Sequence, residues 1–238
     1  VLLFIDLETT GLESEDKICS VAIIAIEKEE IIYKYEFINE GKKITTNASS
    51  IHHITKEMIK DKPTFQESEI YEFLKQNNSE ENILIAHNIK FNLEKLSSAG
   101  LFWRGDIIDT LRVTKHLIPE CEFFSLQVLR YELQLYKEEE RECEKCGIKG
   151  VLIAHDALSD ALVVKLLFSY LLELSSLEKM KELSLKNVLL EKFNFGKYKG
   201  KYIEEVFMKD RGYLKWMLEN ISDLDEDLKY SIDYHLKG

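Results

Sequence analysis

Three consecutive segments rich in β-branched and aromatic residues, VLLFID, KICSVAIIAI and EIIYKYEFI, open the chain, separated only by charged or glycine-containing turns. Runs of that composition fit the pleated, half-buried surface of a sheet, and connections this short join antiparallel neighbours. The pattern then changes. TTNASSIHHITKEMI offers Thr and Asn caps before a helical spacing, and TFQESEIYEFLKQ, after Pro63, places Ile70, Phe73 and Leu74 on one stripe. From NILIAH onward, strand and helix alternate: IKFNLEKLSSAG is a helix closed by Gly100, RGDIIDTL a short strand, and SLQVLRYELQLY a helix capped by Ser125. Antiparallel strands followed by alternation predict an α/β fold, a mixed sheet with helices against it.

Residues 137–150, KEEERECEKCGIKG, are almost wholly charged and are expected as a flexible surface loop. From Asp156 to Leu174 the chain is apolar on nearly every side, which predicts a helix buried on more than one face. That helix closes a first domain over 1–176, and LEKMKELSLKNVLLEK supplies a helical connector over 177–191. Beyond it, Gly, Lys and Tyr interleave before a compact helical stretch presenting Val206, Phe207, Leu214, Trp216 and Met217. Residues 192–238 are therefore expected as a small α+β module.

With 238 residues, 45% of them hydrophobic, the chain can bury one substantial core and a small second one. A net charge of −11 excludes a protein that coats nucleic acid by bulk attraction, so any such surface must be local. The window Lys192 to Leu218 is the place for it, with seven basic against three acidic residues. No apolar run reaches the ~18–20 residues of a membrane span, because Lys165 interrupts ALVVKLLFSYLLEL. VLLFI is too short for a signal peptide, and since Val1 is not an initiating residue, a few residues are expected to precede it. Four cysteines do not make a disulfide framework at this length, and the expectation is a reduced, cytoplasmic protein.

Chemistry concentrates in three motifs. In FIDLETTG, Asp6 and Glu8 stand two apart at a predicted strand end, so both carboxylates share a face and suit a shared divalent cation. Gly11 permits a tight turn beside them. By itself Asp-x-Glu more often reads as a solvated strand end. In HDALSDA, His155 and Asp160 are five apart, ~140° around a helix, and cannot share a helical face. His155 is therefore expected on the turn before the helix, with Asp156 as cap and Asp160 one turn in. The third motif, IAHNIKFN, runs from strand into helix with His87, Asn88 and Asn92 near the junction.

Taken in this order, the three motifs resemble those of the DnaQ-like, or DEDDh, 3′→5′ exonucleases. TTGL, SSIHHIT, DTLRVTKHLIP and SLQVLR stand where that family has them, and the resemblance covers about residues 1–174. It implies a ribonuclease H-like fold, a mixed five-stranded sheet flanked by helices, and removal of nucleotides from DNA 3′ ends by water attack on the terminal phosphodiester. It also implies two Mg²⁺ or Mn²⁺ ions, with Asp6, Glu8 and Asp160 as metal ligands. His155 would be the general base, since an imidazole with its ordinary pKa of ~6.5 is mostly neutral at pH 7. Thr9, Gly11 and Leu12 would line the 3′-terminal nucleotide.

Family members carry Asp where this chain has Asn92, so the second metal loses one negative charge. An Asp-to-Asn change made to trap substrate and a natural variant with reduced or lost catalysis both account for it. The other motif residues are intact, which favours the first and makes this chain an inactivated form. FGKYKGKYIEEVFMKDRGYLKWML further resembles the C-terminal domain of exonuclease X-type members of the family. Lys197, Lys199 and Lys201 alternate with Tyr198 and Tyr202, offering cations to phosphate and rings to bases. A two-strand hairpin with solvated lysines is the competing reading of that segment. DNA is the expected partner of a monomeric or loosely associated protein. An RNA exonuclease, a polymerase proofreading subunit and a non-catalytic nucleic-acid-binding module are the alternatives.

Other residues have plainer expectations. Cys143-x-x-Cys146 has zinc-knuckle spacing but lacks a second pair, only His116 and Cys121 being near, so structural zinc is not expected. Cys19 is expected as a buried small hydrophobe. One of His52 and His53 is expected to touch the terminal phosphate, a helix-end histidine being the alternative. His87 reads as strand-end structure, Asn88 as a substrate contact or a loop brace, and Asp109 as a helix cap.

Overall fold

β1 (Leu2–Thr9), β2 (Ile18–Glu27) and β3 (Glu30–Phe37) form the antiparallel meander that their composition predicts. β4 (Ile83–Ala86) pairs parallel to β1 and β5 (Asp106–Asp109) parallel to β4, giving one mixed five-stranded sheet in the order β3-β2-β1-β4-β5. The structure is a computed structural model and describes residues 1–150, 152–193 and 195–237. Between β3 and β4 lie α1 (Thr46–His52), α2 (Lys56–Ile59) and α3 (Glu69–Gln76), with Thr45 and Ser68 capping α1 and α3 through their side chains. α4 (Ile89–Ser98) links β4 to β5, and α5 (Thr110–Leu117) follows with Asp109 as its cap. α6 (Leu126–Glu132), α7 (Glu139–Cys146), α8 (Ala157–Leu174) and α9 (Leu177–Leu185) complete the first part of the chain.

Strand alternation divides the core between the two faces of the sheet. Leu3, Ile5 and Leu7 pack with Ile70 and Leu74 of α3 and Ile89 and Leu96 of α4. Phe4 faces the other way, into a layer holding Ala161, Leu162, Val164 and Phe168 of α8. As its composition predicts, α8 is buried on several sides, resting on β1 and β2 and flanked by α5, α6 and α7.

The charged segment expected as a loop is instead α7, with Glu142, Cys143 and Cys146 buried. Its inner stripe sits at helical spacing but is built of Cys and Glu. The Glu142 carboxylate accepts hydrogen bonds from the buried Lys165 of α8 and from Lys145 at 2.9 Å, so the lysine inside α8 finds its counter-charge on α7.

The chain divides into two units, Val1–Ser184 and Leu185–Gly238. α9 does not act as a free connector: Met180 and Leu183 enter the first unit's core, and Ser184 Oγ accepts the Asp109 N–H at 2.8 Å. In the second unit α10 (Ile203–Lys209), α11 (Arg211–Asn220) and α12 (Glu226–Lys237) surround Phe193, Ile203, Val206, Leu214, Met217, Leu228 and Ile232. The expected α+β module is thus helical among the described residues, its strand content reduced to one antiparallel bridge between Lys192 and Tyr202. Trp216, expected in that core, is half exposed and stacks on Tyr213 at 5.9 Å. No helix of the described residues is long and apolar enough to cross a membrane.

Candidate active site

The alternation that turns Phe4 toward α8 carries Asp6 and Glu8 to the same side of β1. Opposite them on β2 stand Ala22 and Ser20, small residues that leave room above the strand. α8 begins with Asp156 as its cap, as expected, accepting from Ser159 N–H at 3.0 Å and Ser159 Oγ at 2.8 Å. The other Asp156 oxygen accepts the Tyr35 hydroxyl at 2.8 Å, so β3 anchors the helix start from across the sheet. Asp160, one turn in, then meets the strand pair: single ligand oxygens of Asp6, Glu8 and Asp160 all lie within 4.8 Å of one another.

Three carboxylates so close repel when ionised, and the site is partly dry. Burial first, then Asp160 and Glu8, hold the Asp6 carboxyl well above the usual carboxylate range. Burial, with Asp160 and Asp156, pushes Glu8 up to about 8. Burial lifts Asp160 to about 7, against hydrogen bonds from the His155 backbone N–H at 3.2 Å and Gln127 Nε2 at 2.6 Å. Such a cluster is costly without cations, and its oxygen donors suit Mg²⁺ or Mn²⁺. Asn92 adds a second observation: it is 3% exposed and its Oδ1 meets no hydrogen-bond donor. Because β4 runs parallel to β1 with Ile85 opposite Phe4, α4 starts from the sheet edge at which β1 ends. The donor set therefore fits a divalent cation.

The turn after β1 is tied down from several sides. Asp16 accepts from Thr10 Oγ1 at 2.9 Å and the Glu13 N–H at 3.0 Å, and Lys42 pairs with it at 3.4 Å. A Cβ on Gly11 would meet the Asp16 carboxylate at 2.3 Å, which is why glycine stands there. The buried Lys95 of α4 donates to the carbonyls of Glu13 and Asp16 at 2.6 and 3.0 Å. Thr9 is buried with its hydroxyl donating to Gly11 O at 2.7 Å, whereas Leu12 is 77% exposed.

His52, expected against substrate, is buried instead. Its Nδ1 accepts the Ile54 N–H at 3.0 Å, which leaves Nε2 with the proton it donates to Thr9 O at 3.2 Å. Both ring nitrogens are committed, so His52 reaches the site only by bracing Thr9, and His53 is the exposed one of the pair. His155 is exposed on the turn before α8, with φ 60°. His87 is structural, Nδ1 against Thr110 Oγ1 at 3.0 Å and Nε2 against Phe124 O at 2.8 Å. Asn88 is exposed, in the left-handed conformation at the start of α4, and its N–H donates to Asp109 Oδ1 at 3.0 Å.

Cys143 and Cys146 lie with Cys121 in the apolar core, their thiols pushed up by burial. In the second unit Lys197, Lys199 and Lys201 are exposed. Lys197 pairs with Asp210 at 3.0 Å and lies over the Tyr198 and Tyr213 rings. Tyr35, Gln127 and Lys95 escaped the sequence reading. Only Lys95 left a signal, a lysine spaced to fall on the inner side of its helix.

Residues 3–168, which include all three carboxylates of the acidic cluster, match the family model described as Exonuclease. The chain belongs to this exonuclease family. Residues 193–222 match a second model, the exodeoxyribonuclease X-like C-terminal domain. Over the full length of both chains this exonuclease-family member is 25% identical to exodeoxyribonuclease 10 of Escherichia coli strain K12. It is 31% identical over 196 residues to the PolC-type DNA polymerase III of Thermotoga maritima, covering 75% of this chain and 13% of that one. Among solved structures it resembles exonuclease X in complex with 5′-overhanging duplex DNA, with a TM-score of 0.61 and 23% identity over 77% of this chain and 99% of that one. Cell-death related nuclease 4 gives 0.54 at 15% identity, covering 72% and 63%. The chain thus has the ribonuclease H-like exonuclease fold expected above, with its mixed five-stranded sheet.

Proposed function

We propose that this chain is a metal-dependent 3′→5′ exonuclease that releases nucleotides from DNA ends, built to carry Asp at position 92 and weakened by Asn92. The acidic cluster of Asp6, Glu8 and Asp160 carries the proposal, and likeness to exodeoxyribonuclease 10 along the whole chain supports DNA as substrate. Asp6, Glu8 and Asp160 would hold the divalent cations, which supply charge neutralisation at the scissile phosphate and a more acidic attacking water. His155, exposed on the turn whose N–H binds Asp160, would accept the proton of the water that attacks the terminal phosphorus, and the O3′ of the penultimate nucleotide would leave with a proton from solvent as the P–O3′ bond breaks. Leu12 offers an apolar surface to the terminal nucleotide, and the Thr9–Gly11 backbone, braced by His52, forms the floor beside it. Asn88 is proposed as a loop brace with an exposed amide toward substrate. Lys199, Lys201 and, after release from Asp210, Lys197 bind phosphates in the second unit.

The amide at 92 keeps the size of Asp and lacks its charge, so the second ion binds weakly and transition-state stabilisation falls. End-labelled single- and double-stranded DNA and RNA, incubated with the Asn92 and Asn92→Asp proteins in Mg²⁺, Mn²⁺ or chelator, test this. The expected outcome is a stepwise ladder from DNA 3′ ends, faster with Asp by about 100-fold or more, the scale on which a lost charge-stabilising group is felt. Faster digestion of RNA would move the substrate to the alternative class. No cleavage of any substrate by either protein, despite binding, would leave a non-catalytic nucleic-acid-binding module.

A further inference from the structure

Asp160 is held at both oxygens: Oδ2 by the His155 N–H at 3.2 Å and Oδ1 by Gln127 Nε2 at 2.6 Å. Gln127 lies on α6, and its amide has one workable orientation. Its Oε1 accepts from Arg130 Nη1 at 3.2 Å, so a flipped amide would set N–H against N–H and oxygen against carboxylate. Arg130 is fixed in turn. It is 7% exposed and meets Glu139 of α7 through two bonds, Nε to Oε1 at 2.5 Å and Nη2 to Oε2 at 2.7 Å.

We propose that Gln127 is a positioning residue for the metal site, and that the series Glu139, Arg130, Gln127 aims the Asp160 carboxylate at Asp6 and Glu8. The proposal rests on the metal-dependent reading above. Like charge drives Asp160 away from its two partners, and rotation of its carboxylate is the cheapest way to retreat. Such rotation would break the bonds to Gln127 and His155 together. A neutral donor suits this position, because lysine at 127 would compete with the cation as counter-charge and glutamate would add to the repulsion. One donor on each oxygen still leaves a lone pair on each for a cation. The charged stripe of α7 thereby acquires a purpose beyond packing, because Glu139 sets Arg130 and Arg130 sets the amide.

The test is Mn²⁺ binding to the full-length chain, read from the loss of the free-ion EPR signal, with thermal melts in parallel. Gln127→Leu removes the donor at nearly constant volume, and affinity is expected to fall roughly tenfold with the melt unchanged. Glu139→Gln is expected to weaken Mn²⁺ binding in the native background and to have no further effect on top of Gln127→Leu. Equal Mn²⁺ binding by Gln127→Leu and the unmodified chain overturns the proposal and leaves the metal site standing. So does a Glu139→Gln effect that persists undiminished in the Gln127→Leu background. Absence of Mn²⁺ binding by the unmodified chain, or binding indifferent to Asp6→Ala, overturns the metal-site reading and this proposal with it. If Gln127→Leu fails to fold, Gln127→Asn shortens the reach while keeping the amide: weaker binding supports the role, and equal binding overturns it.

Discussion

Glu8 takes up a proton near pH 8 in the fold, against an ordinary value of 4.5, because burial and the Asp160 and Asp156 carboxylates disfavour its anion. Between those values the native state holds more protons than the unfolded chain, so without metal its stability falls as pH rises. Asp160, lifted to about 7, contributes with the same sign. His87 works in the opposite direction at lower pH: burial depresses it to about 4, so its contribution is complete above about 6.5 and is lost as pH falls toward 4. The acidic cluster is therefore best observed from pH 6.5 to 8.5. Melts in chelator are expected to decline across that window, and Mn²⁺ is expected to raise Tm more at pH 8.5 than at 6.5. An equal Mn²⁺ effect at both ends would contradict the crowded-carboxylate account. Asp6→Asn removes one of the three crowded carboxyls. In chelator it should make the decline of Tm from pH 6.5 to 8.5 shallower than in the unmodified chain, and it should abolish the Mn²⁺ response.

α7 is held by a buried ion pair whose partners need each other. Glu142 stays below the ordinary carboxylate range even though burial opposes it, because Lys165 and Lys145 both hydrogen-bond to it. Its contribution is present above about pH 4.5 and is lost as pH falls through the depressed native value. Glu142→Ala strands the Lys165 ammonium and is expected to cost about 3–5 kcal/mol by urea unfolding at neutral pH, while Glu142→Leu with Lys165→Met recovers most of it. A loss below about 1 kcal/mol for the single change would mean that water reaches the lysine. The same helix marks where sequence reasoning fell short. Residues 139, 142, 143 and 146 do repeat at helical spacing, yet a stripe of Glu and Cys carries little hydrophobic signal, and it is the facing Lys165 and Arg130 that give its two glutamates a reason to be buried. Strand period placed Asp6 and Glu8 on one face and cap position placed Asp160 one turn into its helix, but that the three form one set was implied only by the family resemblance, and the structure brings them together. Gln127 was not legible, since the partner of an amide is decided by tertiary neighbours. His52 follows the helix-end alternative for a related reason, its Nδ1 being taken up by the nearby Ile54 N–H and its Nε2 by the carbonyl of Thr9, distant in sequence.

At the scale of the whole molecule each unit has apolar packing of its own among the described residues, on both faces of the sheet in the first and among α10, α11 and α12 in the second, and the chain divides after Ser184. Removing residues after Leu190 spares α9 and the Ser184 bond to Asp109. The shortened protein is expected to melt cooperatively and bind Mn²⁺ like the full chain. It should hold long DNA less tightly, with a log–log salt slope shallower by about 0.7–0.9 for each phosphate it no longer neutralises. Identical slopes for the two lengths would remove the second unit from DNA binding. The first unit's acidic cluster draws on both of its extremes, β1 at the start and α8 near the end. A ribosome adding roughly 5–20 residues per second finishes β1 many seconds before residue 160 appears. Throughout that interval the growing chain has two carboxylates and no third. A product that stalls or ends before residue 160 is therefore born disarmed, because the helix that completes the site is among the last parts of its unit to be made.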